Sequence, residues 1–230
     1  MPENIIEVLN ISKYYGENET RITAVKSISI NFKKGEFTAI AGPSGSGKTT
    51  LLNLMSGLDV PSRGTILLSG KAISKMSGNE LSDFRRDHIG LIFQSFNLIP
   101  VLTAAENIEY IMLLKGIDKK KRQKRTSAIL AEVGLGDKED RFPAQLSGGQ
   151  QQRVAVARAI VSDPDIILAD EPTANLDSAT GSELIDMMRN LNEKTGKTFI
   201  FSTHDTMIME RAKRLVIVKD GEIEADGPRK

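Results

Sequence analysis

The stretch that decides the fold is Gly42-Pro43-Ser44-Gly45-Ser46-Gly47-Lys48-Thr49, which matches the complete pattern G-x-x-x-x-G-K-T. The apolar run Phe37 to Ala41 precedes it, and the helix-like segment Leu51 to Met55 follows it. A glycine-rich loop between a buried strand and a helix turns its backbone N–H groups around an anion, and the helix dipole adds to the attraction. Because the whole pattern stands in this strand-to-helix setting, it predicts a phosphate-binding loop and not a flexible Gly/Ser turn.

Two acidic residues extend the predicted site. In a loop of this kind Lys48 reaches the β- and γ-phosphates, and the Thr49 hydroxyl ligates Mg²⁺. A second apolar strand, Ile166 to Ala169, ends at Asp170, where a carboxylate can hold Mg²⁺ through water, and Glu171 follows directly. A carboxylate at that position can polarise an attacking water, so Glu171 is the predicted general base. Without the phosphate loop, the acidic pair would be an ordinary polar strand end.

Composition is that of an ordinary globular protein. Hydrophobic residues make up 40% and charged residues 27% of the 230 residues, and 31 Lys+Arg against 30 Asp+Glu leave a net charge of +1. This balance argues against a nucleic-acid partner, and the basic run Lys119 to Arg125, which lacks interleaved aromatics, predicts a solvated helix face. The absence of cysteine excludes disulfides and thiolate metal sites. We find no apolar run of 18 residues and no signal-peptide pattern, so no membrane span is predicted.

Strands and helices alternate along most of the chain, which favours a mainly parallel sheet. The first two strands, Ile5 to Ile11 and Ser27 to Phe32, alternate imperfectly between apolar and polar residues and predict an antiparallel pair. Three helical segments without a convincing strand between them follow: Ala104 to Leu114, Lys119 to Val133 and Gln150 to Val161. We therefore predict one α/β domain: a P-loop NTPase core of residues 1–94 and 163–230 with an N-terminal antiparallel β subdomain, and an α-helical subdomain inserted at 95–162.

A second motif, Leu146-Ser147-Gly148-Gly149-Gln150, narrows the class of protein. A serine and two glycines at the start of a helix form a second anion-receptive helix terminus, for which a P-loop kinase has no use. With the phosphate loop, the acidic pair Asp170-Glu171 and His204 in this order, the sequence resembles the nucleotide-binding subunit of an ABC transporter over essentially its whole length. The resemblance implies an ATPase that needs ATP and Mg²⁺.

The resemblance also implies roles for single residues. Gln94, after a predicted strand, is similar to the Q-loop glutamine that touches Mg²⁺ or water and senses the membrane subunit. His204 is similar to the switch histidine that contacts the γ-phosphate. The stretch Asn175-Leu176-Asp177 resembles the D-loop, which crosses to the other subunit; its first residue is Asn where many members have Ala, so only Asp177 is carried over. Tyr14 and Tyr15 both qualify for stacking on adenine, and spacing after the first strand favours Tyr15.

The predicted site is therefore made of three sets. The catalytic residues are Lys48, Glu171 and His204. The metal ligands are Thr49, Gln94 and Asp170. The residues expected to bind the nucleotide are Tyr15, Gly42, Pro43, Ser44, Gly45, Ser46, Gly47, Lys48, Thr49, Thr50, Gln94, Ser147, Gly148, Gly149, Gln150 and Asp177.

Two partners follow from the resemblance. One is a second copy of the chain, arranged head to tail so that ATP lies between the phosphate loop of one copy and the LSGGQ segment of the other. The other is an integral membrane permease, which places the chain on the cytoplasmic face of the cell inner membrane as a peripheral protein, soluble when isolated. Residues 85–100 and 102–107 are similar to the branch that contains the lipoprotein-releasing and macrolide-exporter ATPases.

Three functions are compatible with this sequence. The leading one is an ATPase that drives a separate permease for export or extraction of lipoprotein, peptide or drug-like substrates. The alternative is an ATPase that transmits a conformational change across the membrane to cell-division or cell-wall machinery without moving a substrate. A soluble ABC ATPase of translation or DNA repair is disfavoured, because the chain carries one cassette and no coiled-coil heptads.

Overall fold

Two β-sheets and a group of helices form the described part of the chain, residues 4–229 of this computed structural model. The strands are β1 Asn4–Tyr15, β2 Ile22–Lys33, β3 Phe37–Ala41, β4 Arg63–Leu68, β5 Lys71–Ala72, β6 Ile89–Ile92, β7 Ile166–Asp170, β8 Thr198–Thr203, β9 Arg214–Lys219 and β10 Glu222–Pro228. The helices are α1 Lys48–Met55, α2 Gly78–His88, α3 Ala104–Leu114, α4 Lys119–Glu132, α5 Gly148–Ile160, α6 Ser178–Thr195 and α7 Thr206–Arg211.

The larger sheet has the strand order β10-β9-β3-β8-β7-β6. All neighbours in it are parallel except β9 and β10. The register pairs Ala41 with Thr203, Asp170 with Ser202 and Ile92 with Ala169. The carboxyl ends of five parallel strands, β9, β3, β8, β7 and β6, therefore meet at one edge, where ligands bind in open α/β sheets.

The smaller sheet, ordered β2-β1-β4-β5, is antiparallel and packs over one face of the larger sheet. Apolar side chains of both sheets and of α1 fill the space between them, among them Ile6, Phe32, Leu51 and Ile200. On the opposite face, Phe37 and Phe201 pack with apolar residues of α5 and α6. A third cluster joins α3, α4 and α5.

Helix α5 begins two residues earlier than predicted. The Ser147 hydroxyl accepts a hydrogen bond from the Gln150 amide (3.3 Å), and the Gln150 side chain accepts one from the Ser147 amide (3.0 Å). This capping box places Gly148 and Gly149 inside the first turn. The S-x-x-Q spacing is typical of a capping box and indicates a helix that begins at Gly148, so the predicted start at Gln150 was wrong.

The predicted fold is confirmed: a mainly parallel sheet, an antiparallel N-terminal sheet and a helical insertion. The boundaries at residues 95 and 162 stay a prediction, because α5 packs both on the larger sheet and in the α3–α4 cluster. Strand β5 and helix α7 were not predicted, since each is too short to show a periodic pattern. Across residues 4–229, no helix combines the length and the apolar character needed to cross a bilayer.

We expect Phe37→Ala to lower the free energy of unfolding by about 3–5 kcal/mol, because it leaves a cavity under fully buried rings. The centre of the Phe37 ring lies 4.7 Å from the centre of the Phe201 ring and 5.8 Å from that of the Phe199 ring, and all three residues are at most 1% exposed. Urea unfolding checks this value. The control Val101→Ala removes a side chain that is 77% exposed and should change stability by less than about 0.5 kcal/mol; equal losses would contradict the core assignment.

Candidate active site

The loop between β3 and α1 depends on glycine at two positions. Gly47 has φ of +103°, and a Cβ there would clash with the carbonyl oxygen of Ala24. A Cβ at Gly42 would clash with the carbonyl oxygen of Val218. Gly47 is also the N-cap of α1, and no side chain of residues 4–229 caps this helix. The first-turn N–H groups are therefore left for an anion.

Backbone hydrogen bonds hold the loop in place from the outside. The Gly221 amide, in the β9–β10 turn, donates to the Ser46 carbonyl (3.0 Å), and the Lys26 amide of β2 donates to the Gly221 carbonyl (2.8 Å). The Ser46 hydroxyl is buried and finds no hydrogen-bond partner among the described residues. A buried, unpaired hydroxyl is costly in a loop that binds nothing, and it fits a loop that receives phosphate oxygens.

Lys48 is buried in the loop. Its Nζ donates to the carbonyl oxygens of Gly42 (2.8 Å) and Pro43 (2.9 Å), and among the described side chains, residues 4–18 and 20–229, no carboxylate pairs with it. An ammonium group has three donors, so one remains for a ligand. The loop therefore holds an uncompensated positive charge ready for an anion.

Thr49 and Asp170 form a pair of oxygen donors beside Lys48. The Thr49 hydroxyl donates to Oδ1 of Asp170 (3.0 Å), which brings the start of α1 against the end of β7. Hydroxyl and carboxylate oxygens suit Mg²⁺, which takes few protein ligands and completes its shell with phosphates and waters. The described residues contain no cluster of three or more His, Cys, Asp or Glu side chains that could hold a metal alone. This pair therefore fits Mg²⁺ bound together with a nucleotide.

Glu171 and His204 form a second pair at the same sheet edge. Oε1 of Glu171 lies 2.8 Å from Nδ1 of His204, and Oε2 accepts from the Thr203 hydroxyl (3.3 Å) and the His204 amide (3.4 Å). Since an ionised carboxylate only accepts, Nδ1 carries the hydrogen and Nε2 is left for another group. The Glu171 side chain is 13% exposed and His204 68%. Glu171 also has φ of +46°, a backbone strain on the order of 1–3 kcal/mol.

One cavity of about 690 Å³ gathers most of the predicted residues. It is lined by Ala24, Pro43, Ser44, Gly45, Ser46, Gly47, Lys48, Thr49, Thr50, Gln94, Glu171 and His204. Asp170 does not line the cavity, but it accepts a hydrogen bond from the hydroxyl of Thr49, which does. The lining within residues 4–229 includes neither Tyr15 nor Asp177, and none of the residues 147–150. The structure thus brings the phosphate loop together with Gln94, Glu171 and His204 and leaves the LSGGQ segment elsewhere.

The LSGGQ segment packs against the D-loop. A Cβ at Gly149 would clash with the Thr180 side chain in the first turn of α6. Asp177 caps that turn by accepting from the amides of Ala179 (3.1 Å) and Thr180 (3.0 Å). Hydrogen bonds from the Thr180 side chain and backbone lower the pKa of Asp177, so its carboxylate is ionised near neutral pH.

The two tyrosines have different surroundings. The Arg21 guanidinium lies 3.7 Å from the centre of the Tyr14 ring and covers one face of it. Tyr15 is 42% exposed, and its hydroxyl donates to Oδ2 of Asp59 (2.7 Å). Burial and this hydrogen bond raise the pKa of Tyr15. The Lys13 ammonium lies 5.0 Å from the centre of the Tyr15 ring, so a cation lies over one face of each tyrosine, and the choice of Tyr15 for adenine stacking stays a prediction.

Three residues near the site were not predicted from the sequence. Arg158 donates to the carbonyls of Phe96 and Asn97, Asn175 donates to the carbonyl of Gln94, and Gln152 donates to the carbonyl of Pro172. The asparagine at position 175, where many family members have alanine, was a sequence signal that this side chain has a role of its own. No sequence signal pointed to Arg158, because its hydrogen-bond partners lie about sixty residues away in the chain.

A comparison with protein families decides the assignment. A model described as "ABC transporter" matches residues 25–174. The chain belongs to the ABC transporter family.

The chain is similar to the ABC transporter ATP-binding protein MJ1508 of Methanocaldococcus jannaschii, with 48% identity over 219 residues that cover 95% of this chain and 97% of that one. It is also similar to the macrolide export ATP-binding/permease protein MacB of Aggregatibacter actinomycetemcomitans, with 44% identity over 97% of this chain. The chain spans about a third of that protein's length, 34%.

Solved structures agree with the family. The dimeric structure of a post-hydrolysis state of the ATP-binding cassette MJ0796, bound to ADP and Pi, matches with a TM-score of 0.90 and 42% identity, covering 98% of this chain and 99% of that one. CbiO1 of Clostridium perfringens, part of the ABC transporter complex cbiONQ, matches with a TM-score of 0.88 and 29% identity, covering 98% and 89%. This ABC transporter cassette is therefore an ATPase.

Replacing Lys48 with Ala should weaken ATP binding by at least about tenfold, because it removes the free charge-assisted donor of the loop. The chain should stay folded, since the ammonium group contacts only two loop carbonyls in the described structure. Titration with a fluorescent ATP analogue measures the affinity. Lys34→Ala, an exposed lysine in the turn before β3, is the matched control; unchanged affinity in Lys48→Ala would show that the loop is not the phosphate site.

Proposed function

We propose that two copies of this ABC transporter ATPase enclose ATP head to tail, with the loop 42–49 of one copy facing residues 147–150 of the other. The observation that carries the proposal is the cavity of about 690 Å³, which is lined by Thr49, Glu171, His204 and the uncapped start of α1 but lacks the LSGGQ segment. The dimeric state of the similar MJ0796 cassette supports this arrangement. The site of one copy is then half of a complete site.

Hydrolysis at this site uses Glu171 as the general base. Its carboxylate takes a proton from a water while the water oxygen bonds to the γ-phosphorus and the bond from that phosphorus to the bridging oxygen of ADP breaks. His204 donates through Nδ1 to Glu171 and so fixes the carboxylate, while the Nε2 of this exposed side chain is left for a γ-phosphate oxygen. Lys48 stabilises the charge that develops on the phosphate oxygens.

The oxygen pair of Thr49 and Asp170, with Gln94 in the same cavity, would hold Mg²⁺. When bound with ATP, Mg²⁺ neutralises phosphate charge and orients the β- and γ-phosphates. The chain would supply only a few oxygen ligands, all at one edge of the sheet. The remaining coordination positions of Mg²⁺ would then be left for phosphate oxygens and water.

The ATPase cycle drives a membrane permease that exports or extracts its substrate. The 44% identity to MacB, whose name joins ATP binding and permease, supports this direction of transport. Relatives of the same length, such as MJ1508, are described as ATP-binding proteins only, which supports a permease on a separate chain. Lipoproteins, peptides or drug-like molecules are the substrate classes that we propose.

A groove of about 500 Å³ beside the residues that follow β6 is our candidate for the permease contact. It is lined by α2, α3 and α5, and Tyr110 and Leu114 at its wall are 44% and 52% exposed. Arg85, Arg86 and Arg158 also line it. Asp83 lines the groove as well and pairs with Arg86, while Arg85 and Arg158 donate to backbone carbonyls. The exposed apolar side chains therefore carry the argument, and they fit a permease segment that carries apolar residues.

The experiment for the catalytic proposal is Glu171→Gln. The amide keeps the shape of the side chain and can still accept from His204, but it cannot take a proton. We expect phosphate release to fall by about 10²- to 10⁴-fold while ATP binding is kept, and a dimer to elute on size exclusion with ATP. The matched control is Glu224→Gln on β10, an exposed carboxylate outside the cavity. A monomer with normal turnover would overturn the proposal.

Permease coupling is tested with a photo-crosslinking residue at Leu114 in native membranes. We expect the captured partner to be an integral membrane protein that, purified and returned to vesicles with this chain, changes the rate of ATP turnover. Uptake of labelled lipopeptide or macrolide into those vesicles distinguishes transport from signalling to cell-division or cell-wall machinery. A partner without membrane spans would contradict the proposed coupling.

A further inference from the structure

The segment that follows β6, residues 93–97, has a backbone that needs support from its surroundings; we name it the Q-loop segment. Phe96 and Asn97 have φ of +59° and +50°, two consecutive non-glycine residues in the left-handed region. Such conformations persist only where neighbouring groups hold them. In this chain, side chains from distant parts of the sequence bind the carbonyl oxygens of the segment.

Arg158 of α5 holds the far end of the Q-loop segment. Its Nη1 donates to the carbonyl of Asn97 (2.6 Å) and its Nη2 to the carbonyl of Phe96 (2.9 Å). Among the described carboxylates, those of residues 4–18 and 20–229, none forms an ion pair with it, and burial lowers the pKa of its guanidinium. The charge is therefore compensated by these two carbonyls, which the planar fork of arginine can reach together.

Asn175 and Gln152 hold the near end of the same segment. Nδ2 of Asn175 donates to the carbonyl of Gln94 (2.9 Å). Nε2 of Gln152, on α5, donates to the carbonyl of Pro172 (2.9 Å) and lies 3.5 Å from the carbonyl of Phe93. The Q-loop segment is thus tied at both ends to elements that come much later in the chain.

One of these elements follows the LSGGQ segment, which the proposed function places against the second copy, and the other leads into the D-loop, which the resemblance implies crosses to that copy. Helix α5 starts directly after Ser147 of the LSGGQ segment, and Asn175 lies two residues before Asp177 of the D-loop. The ring of Phe96 and the side chain of Leu176 occupy the space in front of Gly148, where a Cβ would touch both. Arg158 and Asn97 also line the groove of about 500 Å³.

We propose that Arg158 and Asn175 are positioning residues that tie the Q-loop segment to α5 and to the D-loop, so that the three elements move as one body. The inference rests on the proposed function, which supplies the second copy. A partner that presses on the segment in the groove then moves Ser147 and Asp177 through hydrogen bonds of these side chains. Neither residue touches the cavity that binds the nucleotide, so each acts through the segment it holds.

The test separates nucleotide binding by one copy from turnover by two. In Arg158→Ala the phosphate loop is intact, so the affinity for a fluorescent ATP analogue should stay within about threefold of wild type. The rate constant kcat for phosphate release should fall at least about tenfold, because the two charge-assisted hydrogen bonds that tie Phe96 and Asn97 to α5 are lost. The ATP-driven dimer in the Glu171→Gln background should weaken by a similar factor.

Two variants control for a merely structural effect. Arg153→Ala removes a guanidinium of the same helix that also donates to a carbonyl, that of Val133 (3.0 Å), but that does not contact the Q-loop segment; it should keep wild-type kcat. Arg158→Lys keeps the charge but cannot reach both carbonyls in the fork geometry, so it should restore the melting temperature more fully than kcat. Equal kcat in Arg158→Ala and wild type would overturn the inference, as would a loss of ATP affinity as large as the loss of kcat.

Asn175→Ala is the second test, which remains decisive if Arg158→Ala does not fold. It removes a single exposed hydrogen bond, so we expect an intact fold and a kcat about three- to tenfold lower at unchanged ATP affinity. Asn190→Ala, an exposed asparagine of α6, is the matched control. Wild-type kcat in Asn175→Ala would overturn its role. Failure of the Glu171→Gln chain itself to dimerise with ATP would overturn the proposed function, and this inference with it.

The chain contains no cysteine, so a single label can report on the segment directly. A spin label on Ser95→Cys should be restricted in the otherwise wild-type chain and mobile in Arg158→Ala, at a temperature where both are folded. Equal mobility of the label in the two chains would contradict the tie between the Q-loop segment and α5.

Discussion

The site depends on one packing constraint: the loop 42–47 is pressed between two other backbones. A side chain at position 47 would clash with the Ala24 carbonyl, and a side chain at position 42 would clash with the Val218 carbonyl, so both positions need glycine. The Ser46 carbonyl is bonded to the Gly221 amide, which fixes the loop from the side of β9 and β10. A loop held in this way presents its N–H groups and Lys48 in one direction without the cost of ordering them when an anion arrives.

The parallel sheet turns this loop into a reaction site. Because β3, β6, β7 and β8 run in the same direction, their carboxyl ends bring the loop, Gln94, Asp170 and His204 to one edge. In the function that we propose, the two pairs divide the chemistry, with Thr49 and Asp170 as oxygen donors and Glu171 and His204 as the proton-handling groups. The backbone of Glu171 is strained, with φ in the left-handed region. Strain of this kind lowers the stability of the fold and is typical of residues at functional sites.

Much of this was predictable from local sequence, and the rest was not. The strand Phe37–Ala41 and the helix Ala104–Leu114 have the predicted bounds, because an apolar run and a capped amphipathic helix are strong local signals. Helix α7, six residues long, gave no such signal. The hydrogen bonds of Arg158 and Asn175 to the Q-loop segment join residues 61 to 81 positions apart, and no local pattern encodes such contacts. The roles of single site residues stay predictions until variants are measured.

The central claim is that the loop 42–49 is half of a site whose other half comes from a second copy. The most direct measurement mixes two inactive chains, Lys48→Ala and Ser147→Arg, and follows phosphate release. In a head-to-tail dimer of one chain of each kind, the intact loop of one faces the intact LSGGQ segment of the other, so turnover should reappear on mixing. No turnover at any mixing ratio, with heterodimers present, would contradict the account.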